Sequence, residues 1–544
     1  MGLQQKSMPE TKKADRSRLQ IVIRFFERGL FAPFLLSIQP ILHLFSINLT
    51  ELNVSEIVRS SLISLLLVSL VLGTMYLVLR DWRKASLVAS LFIFLFFLFG
   101  DVSVWTSEAF GLGPARADVL VLAVVAGCML TWIWLITRRI KNIAAVNLYF
   151  NLLAVLFFIG SGIQISRYIL ENGLAFPVRQ SVQAAVIEST ESRPDIYYIV
   201  LDGYGRQDIL QALYEFDNSA FLEGLADRGF YVADESSSNY IQTMLSLGST
   251  FNLDYLQSLQ ADGAKLENRG NLIDLLENNN VRAILAQNGY QLISFHNEYK
   301  ATISSAEIYY NDSARGIASP VSAFESIVVD HTMARVLSYL PVFRRALIEM
   351  PYDTHRDHIL FAFSRLQEVP AMDGSYFVYA HIIAPHPPFV FDEGGDVVPH
   401  DEPFTLNDAN YYMREHSQKS YFAGYRRQIQ YVNTRVLETV DAILAHSQTP
   451  PIIILQGDHG PGAYLHWGSL EDTLPAERFG ILNAYYFPDQ DYSLLYPGIS
   501  PVNTFRVLLN QYFDGNYALL PDRYYYSSWS FPFDFIEVTD LSLP

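Results

Sequence analysis

Two polar side chains at the end of an apolar run are the first chemistry this sequence offers. Residues 451–456, Pro-Ile-Ile-Ile-Leu-Gln, break off into Gly457, Asp458, His459 and Gly460. A short β-branched run closed by glycine reads as a buried strand with an acid and an imidazole at its tip. Carboxylate oxygen and imidazole nitrogen together suit a divalent cation. A capped turn looks the same, so the pair alone decides little. It gains force because other apolar runs end alike. DIYYIVL (195–201) ends in Asp202 and Gly203, YQLISF (290–295) in His296, and SYFVYAH (375–381) in His381, with His386 five residues on.

Elements must position these tips. Residues 206–228 and 271–288 read as helices, and 418–446 as a long amphipathic one with Ile429, Val432, Val436, Val440 and Ile443 at helical spacing. Strands that alternate with helices imply a mostly parallel α/β sheet. In such a sheet ligands bind beyond the carboxyl ends of the strands, where the acids and imidazoles lie.

The front of the chain is different. It carries 16 Lys and Arg against 9 Asp and Glu before residue 171, in a chain whose net charge is −18. The basic, apolar third holds five candidate spans, roughly 29–48, 59–79, 85–106, 118–137 and 143–165. Pro33, Pro40 and His43 interrupt the first; Asn147, Asn151 and Gly160 lie in the fifth. Basic clusters at the N-terminus, at Arg80–Lys84 and at Arg138–Lys141 alternate with neutral or acidic loops, which puts the N-terminus inside and everything after about residue 170 outside the cytoplasm. The N-terminus reads as an anchor and not as a cleaved signal. The expected organisation is a cytoplasmic basic segment 1–28, a five-helix transmembrane domain 29–165, a juxtamembrane connector 166–193 and an extracytoplasmic catalytic domain 194–544. The acidic remainder argues against nucleic acid as a partner. The single cysteine, Cys128, lies in the fourth span, so the outer domain cannot rely on disulfides.

The segments PDIYYIVLDGYGR, AHIIAPHPP and ILQGDHG resemble the alkaline phosphatase/sulfatase superfamily. Five spans before an outer domain resemble its membrane branch, the lipoteichoic acid synthases and lipid A phosphoethanolamine transferases. The resemblance implies an alkaline-phosphatase-like sheet and a divalent metal (Zn, Mn or Mg) held by Asp202, Thr243, Asp458 and His459. It implies a hydroxyl or thiol nucleophile some forty residues past Asp202. The phosphoethanolamine branch has a Thr followed three residues later by Ser, and Thr243 to Ser246 matches that spacing, with Ser246 and Ser236 to Ser238 as competitors. It further implies His381 and His386 as substrate-binding residues, with His386 and His466 supporting catalysis. His386 precedes Pro387-Pro388 where that branch has Gly-Pro. His296 and His400 are weaker candidates. The sulfatase branch needs Cys or Ser in Cys/Ser-x-Pro-x-Arg, and the outer domain has neither version after the first strand.

These readings converge on a membrane-anchored, metal-dependent phosphotransferase or phosphodiesterase. The expected partners are membrane lipids, with a phospholipid donor and a surface glycan or polymer acceptor. A hydrolase of soluble phosphate or sulfate esters is the enzymatic alternative; a catalytically silent surface-binding protein on the same scaffold is the other.

Overall fold

The computed structural model describes residues 20–21, 23–47, 54–172, 193–259, 270–299, 301–311 and 321–543. Most of the basic segment 1–28 and of the connector 166–193 lies outside them. The chain forms two compact units, Met1–Leu174 with Val321–Ile348, and Ala175–Pro320 with Glu349–Pro544.

The first unit is helical: α1 (Phe31–Ile47), α2 (Val54–Leu79), α3 (Trp82–Phe110), α4 (Pro114–Arg138) and α5 (Ile143–Asn172). Four helices, α2 to α5, are long and apolar enough to cross a membrane; α1 has 17 residues and contains Pro40. The first of the five expected spans is therefore the short one. The asparagines that interrupt the fifth span have structural work. Asn147 Nδ2 donates to the Gly29 carbonyl (2.8 Å), Asn151 Nδ2 to the Phe26 carbonyl (2.7 Å), and Asn151 Oδ1 accepts from Ala32 N–H (2.8 Å). They satisfy backbone groups that the break before α1 leaves open, which an apolar surrounding requires. Asp81 caps α3 through Arg83 and Lys84 N–H, and Gly111 closes it in the left-handed conformation. Residues 321–348, far downstream in sequence, also belong to this unit.

The second unit is built on a seven-stranded sheet in the order β2-β7-β6-β1-β5-β3-β4. The strands are β1 (Ile196–Leu201), β2 (Tyr231–Val232), β3 (Gln291–Phe295), β4 (Ile308–Tyr310), β5 (Tyr376–Ile382), β6 (Ile452–Gln456) and β7 (Asn483–Tyr486). β1 is central, parallel to β5 on one side and β6 on the other. Every residue of β1, β5 and β6 is buried, which explains their continuous apolar reading. Only the β2–β7–β6 edge is antiparallel.

The helix Gln418–His446 matches its expected bounds. The expected helix 206–228 is two, Gln207–Tyr214 and Ser219–Asp227: Glu215 turns left-handed at φ 49°, and Asp217 accepts from Ser219 N–H. The expected helix 271–288 breaks at Asn279, which caps the second half, Asn280–Gln287. The helix Thr243–Asn252 is fixed under the sheet by Phe251, whose ring packs edge-on against Tyr198 of β1 (5.5 Å) and Tyr379 of β5 (4.9 Å). Truncating such a side chain to Ala costs about 3–5 kcal/mol. That helix is buried all round, not on one face.

Candidate active site

The carboxyl ends of β1, β5 and β6 lie side by side, so their following residues converge. Asp202 follows β1. Its N–H donates to Ile382 O (2.9 Å) and its carbonyl accepts from His386 N–H (3.0 Å), which pins the turn. Gly203 next to it has φ +72°, a conformation that favours glycine. Asp458 lies beyond β6, and its Oδ1 accepts from Gly203 N–H at 3.1 Å. Gly460 touches the Glu477 carbonyl so closely that a Cβ would come within 2.1 Å. The glycines that flank the acid-imidazole pair thus permit its close backbone packing.

Around this frame the polar atoms cluster. His381 Nε2 lies 3.1 Å from Asp202 Oδ2. His459 Nε2 lies 3.5 Å from Asp202 Oδ1 and 3.4 Å from Asp458 Oδ2. Thr243 Oγ1 is 3.1 Å from the same His459 nitrogen. His459 Nδ1 faces the Gly460 carbonyl at 2.9 Å, so it carries the proton and leaves Nε2 as the lone pair. Asp202, Thr243, His381, Asp458 and His459 are all buried.

Three atoms of this cluster, Asp202 Oδ1, Asp458 Oδ2 and His381 Nε2, are buried without a well-aligned hydrogen-bond partner, the last having only its contact with Asp202 Oδ2. Native proteins rarely leave such groups unmatched. Ligand atoms of Asp202, His381 and Asp458 lie within 4.8 Å of one another, and the donor set suits a divalent cation. The residues fit the metal that the sequence implied. His381, expected to bind substrate, also stands among the potential ligands.

Charge follows burial and neighbours. Burial alone would raise the Asp202 carboxyl; His386, His381 and His459 outweigh it and hold it below the usual carboxylate range. Burial would lower His381, but the Asp202 carboxylate raises it. Burial, helped by Arg478, lowers His459 and keeps its ring neutral.

Thr243 is the first residue of its helix and is buried; Gln242, not Thr243, occupies the cap. The first N–H groups of a helix have no partner within it, and here they start beside the cluster. The competing hydroxyls are engaged or set apart. Ser236 donates to Ile499 O and Ser238 to Tyr240 O, while Ser237 accepts from Arg206. The described contacts of Ser246 are those of its backbone with Gln242 and Thr250. His386 sits at the rim, its Nε2 3.9 Å from Asp408 and its ring 6.4 Å from that of His459. His466 does not join: it is exposed, and its described hydrogen bonds, with Thr473 and Tyr526, use its backbone. His296 pairs with Tyr309, and His400 stacks on Tyr352.

Three residues had no sequence signal. Arg478, fully buried, places Nη2 3.2 Å from His459 Nε2 and 2.8 Å from Asp408 Oδ2. Asp408, which burial would raise, is held low by Arg478 and His386. Asn297 donates to the His381 carbonyl at 3.0 Å and fixes that residue from behind.

A family model described as sulfatase matches residues 188–505, more than half of the chain. The chain belongs to the sulfatase family. Among curated proteins none matches it. Solved structures with a similar course include the C-terminal periplasmic domain of EcEptC from Escherichia coli in complex with Zn. It is 12% identical over 64% of this chain and 94% of that one, with a TM-score of 0.41. The soluble domain of lipooligosaccharide phosphoethanolamine transferase A from Neisseria meningitidis is 12% identical over 59% and 89% (TM-score 0.37). The phosphonate monoester hydrolase of Agrobacterium radiobacter is 13% identical over 61% and 80% (TM-score 0.38).

Proposed function

We propose that this sulfatase-family protein is a membrane-anchored, metal-dependent phosphotransferase or phosphodiesterase whose nucleophile is Thr243. The observation that carries the reading is the meeting of a buried threonine hydroxyl with two carboxylates and two imidazoles, three of whose atoms lack well-aligned partners. A family sulfatase would place a convertible Cys or Ser here; this chain places Thr243.

Asp202 and Asp458 would hold the cation, with His459, Thr243 and His381 as the further donors. When bound, a divalent metal supplies charge that lowers the pKa of a hydroxyl and offsets negative charge on phosphate oxygens. The remaining steps belong to this chain. Thr243 Oγ1 lies 3.1 Å from His459 Nε2, so hydroxyl and imidazole would face the same cation, and the hydroxyl proton leaves to water as the oxygen attacks. Arg478 Nη2, 3.2 Å from that nitrogen, adds positive charge beside the site. Thr243 Oγ1 attacks phosphorus, the bond from phosphorus to the leaving oxygen breaks, and a phosphothreonine forms. His386, at the rim beside Asp408, is placed to give a proton to the leaving oxygen. An acceptor hydroxyl then reverses the sequence and frees Thr243. The helix N-terminus at Thr243 favours the anionic group throughout.

The substrate we assign is an extracytoplasmic phospholipid donor, with its headgroup passed to a surface glycan or polymer. A membrane-anchored site meets lipid at high local concentration. Purified full-length protein, with and without chelator, should be offered headgroup-labelled phospholipid and a chromogenic phosphodiester. Labelled protein trapped during turnover should carry its phosphoryl adduct on Thr243. Thr243→Ala should lose turnover, and Thr243→Ser should retain part of it. An adduct on Ser246, or wild-type turnover by Thr243→Ala, would remove the assignment.

A further inference from the structure

We infer that residues 333–344 lie in the outer leaflet of the membrane and bind the bilayer surface, their apolar side chains among the acyl chains. The segment follows the helix Ala323–Asp330 and comprises a 3-10 helix, Met333–Tyr339, and a short turn of helix, Pro341–Arg344. It comes from the middle of the catalytic sequence, yet packs with the membrane helices as one unit.

Its underside is fastened to the ends of α2, α3 and α4. Ser322 and Glu325 form a capping box, and Glu325 also takes a two-pronged ion pair from Arg59 of α2. The His331 carbonyl accepts from Gly100 N–H of α3 at 3.1 Å, and His331 Nδ1 meets Asp101 at 2.7 Å. A Cβ on Gly100 would come within 2.2 Å of the Asp330 carbonyl, so the two backbones are in close contact. Asp118, buried at the start of α4, accepts from Tyr339 OH (2.7 Å) and Ser103 OH and lies 3.5 Å from Arg335. Met333 and Val336 pack on Phe99, Val121 and Val125.

The opposite face is apolar and open. Leu337, Tyr339, Leu340, Val342 and Phe343 expose between 39% and 77% of their surface within seven residues. A cluster of that kind on a soluble surface marks an interaction site. The occupant follows from the neighbours. The helix ends to which the segment is fastened expose Val104, Trp105, Phe110, Val119 and Leu120, the side chains that α3 and α4 present to lipid. The patch continues that surface, and Trp105 and Tyr339 suit the membrane–water boundary. Charge does not decide the lipid: Arg335 is paired with Asp118 and Asp330, and Arg344 and Arg345 precede Glu349.

The test uses the full chain with Cys128→Ser, so that one introduced cysteine carries an environment-sensitive fluorophore. Val342→Cys is one reporter, Leu340→Cys a second, and Lys419→Cys on the other unit the control. Each is reconstituted in phosphatidylethanolamine/phosphatidylglycerol vesicles and quenched by doxyl-labelled lipid or by aqueous iodide. Labels at 342 and 340 should emit to the blue of the label at 419, lose intensity to doxyl lipid and resist iodide. Iodide quenching equal to that at 419, with none by doxyl lipid, would overturn the inference. So would protection from both quenchers, the result expected if another protein surface covers the patch.

Discussion

Two buried clusters of acid and imidazole lie in the same unit, joined by two consecutive residues. Asn297 holds His381 at the candidate metal site, and its neighbour Glu298 sits between His355 and His358. In the second cluster both carboxylate oxygens are matched, Oε1 to His358 Nδ1 at 2.6 Å and Oε2 to His355 Nδ1 at 3.2 Å. The two imidazoles outweigh burial and hold Glu298 well below the usual carboxylate range. One nitrogen, His355 Nε2, is left over. In the first cluster each of two carboxylates and one imidazole keeps an atom without a well-aligned partner, and a threonine hydroxyl joins them. Residue type is therefore a poor guide to function. Unmet hydrogen-bonding capacity is the better one, because a protein that gains nothing from an unmatched buried carboxylate does not keep it.

That contrast breaks if the two clusters respond alike to mutation. The largest difference should come from paired replacement. Asp458→Ala with His459→Ala should cost at least about a thousandfold in turnover and remove bound divalent metal from the full chain, read by elemental analysis. Glu298→Gln should leave the metal in place and instead lower stability by roughly 3 kcal/mol, since one partner of a buried ion pair is lost. Equal metal loss in both would make the clusters one site. A smaller effect should separate the ligands from their support. Arg478→Ala should reduce turnover about 10- to 100-fold with metal content nearly unchanged, because it acts through His459 and Asp408. Loss of metal as severe as in the double variant would place it among the ligands.

The smallest effect sharpens the comparison by pH. Asp195, at the start of β1, is pushed up to about 6 by burial, against the hydrogen bond from Tyr376 N–H. Its folded pKa exceeds the ordinary value, so its contribution is full below about 4 and is lost as pH rises through about 6. Asp195→Asn keeps the acceptor and removes the titration. The variant should melt higher than the parent above pH 6, and the gap should close toward pH 4. A gap that widens as pH falls would reverse the sign.

How much of this was legible follows from what each signal depends on. Asp202, Asp458 and His459 were visible because each ends a short apolar run, and burial of the strand alone sets where its tip points. The helix Gln418–His446 was visible because Ile429, Val432, Val436, Val440 and Ile443 recur at helical spacing, and all five are buried. The break at Glu215 was not, since a left-handed glutamate has no sequence signature of its own. The edge strands β2 and β4, and β7 beside β2, were missed because they are short and gain their identity from a neighbour. Arg478 was hidden for a related reason. Ala476, Glu477 and Arg478 include two adjacent charges, yet all are buried, and only the tertiary fold brings the guanidinium to His459. His466 differs: it is near His459 in sequence, but its ring is exposed and its described hydrogen bonds use its backbone.

The strand order carries a consequence in time. Ile196 of β1 pairs with Phe377 and Ile452, so the middle strand emerges from the ribosome long before either neighbour exists. Pairings this distant are slow to find. Until they form, Ile-Tyr-Tyr-Ile-Val-Leu is an open apolar strand with two unpaired edges, the kind of segment that joins other chains. The nascent protein should need an attending holdase until these pairings form. A premature stop before Asp458 should leave no partial enzyme, only a core without its second carboxylate and a candidate for proteolysis.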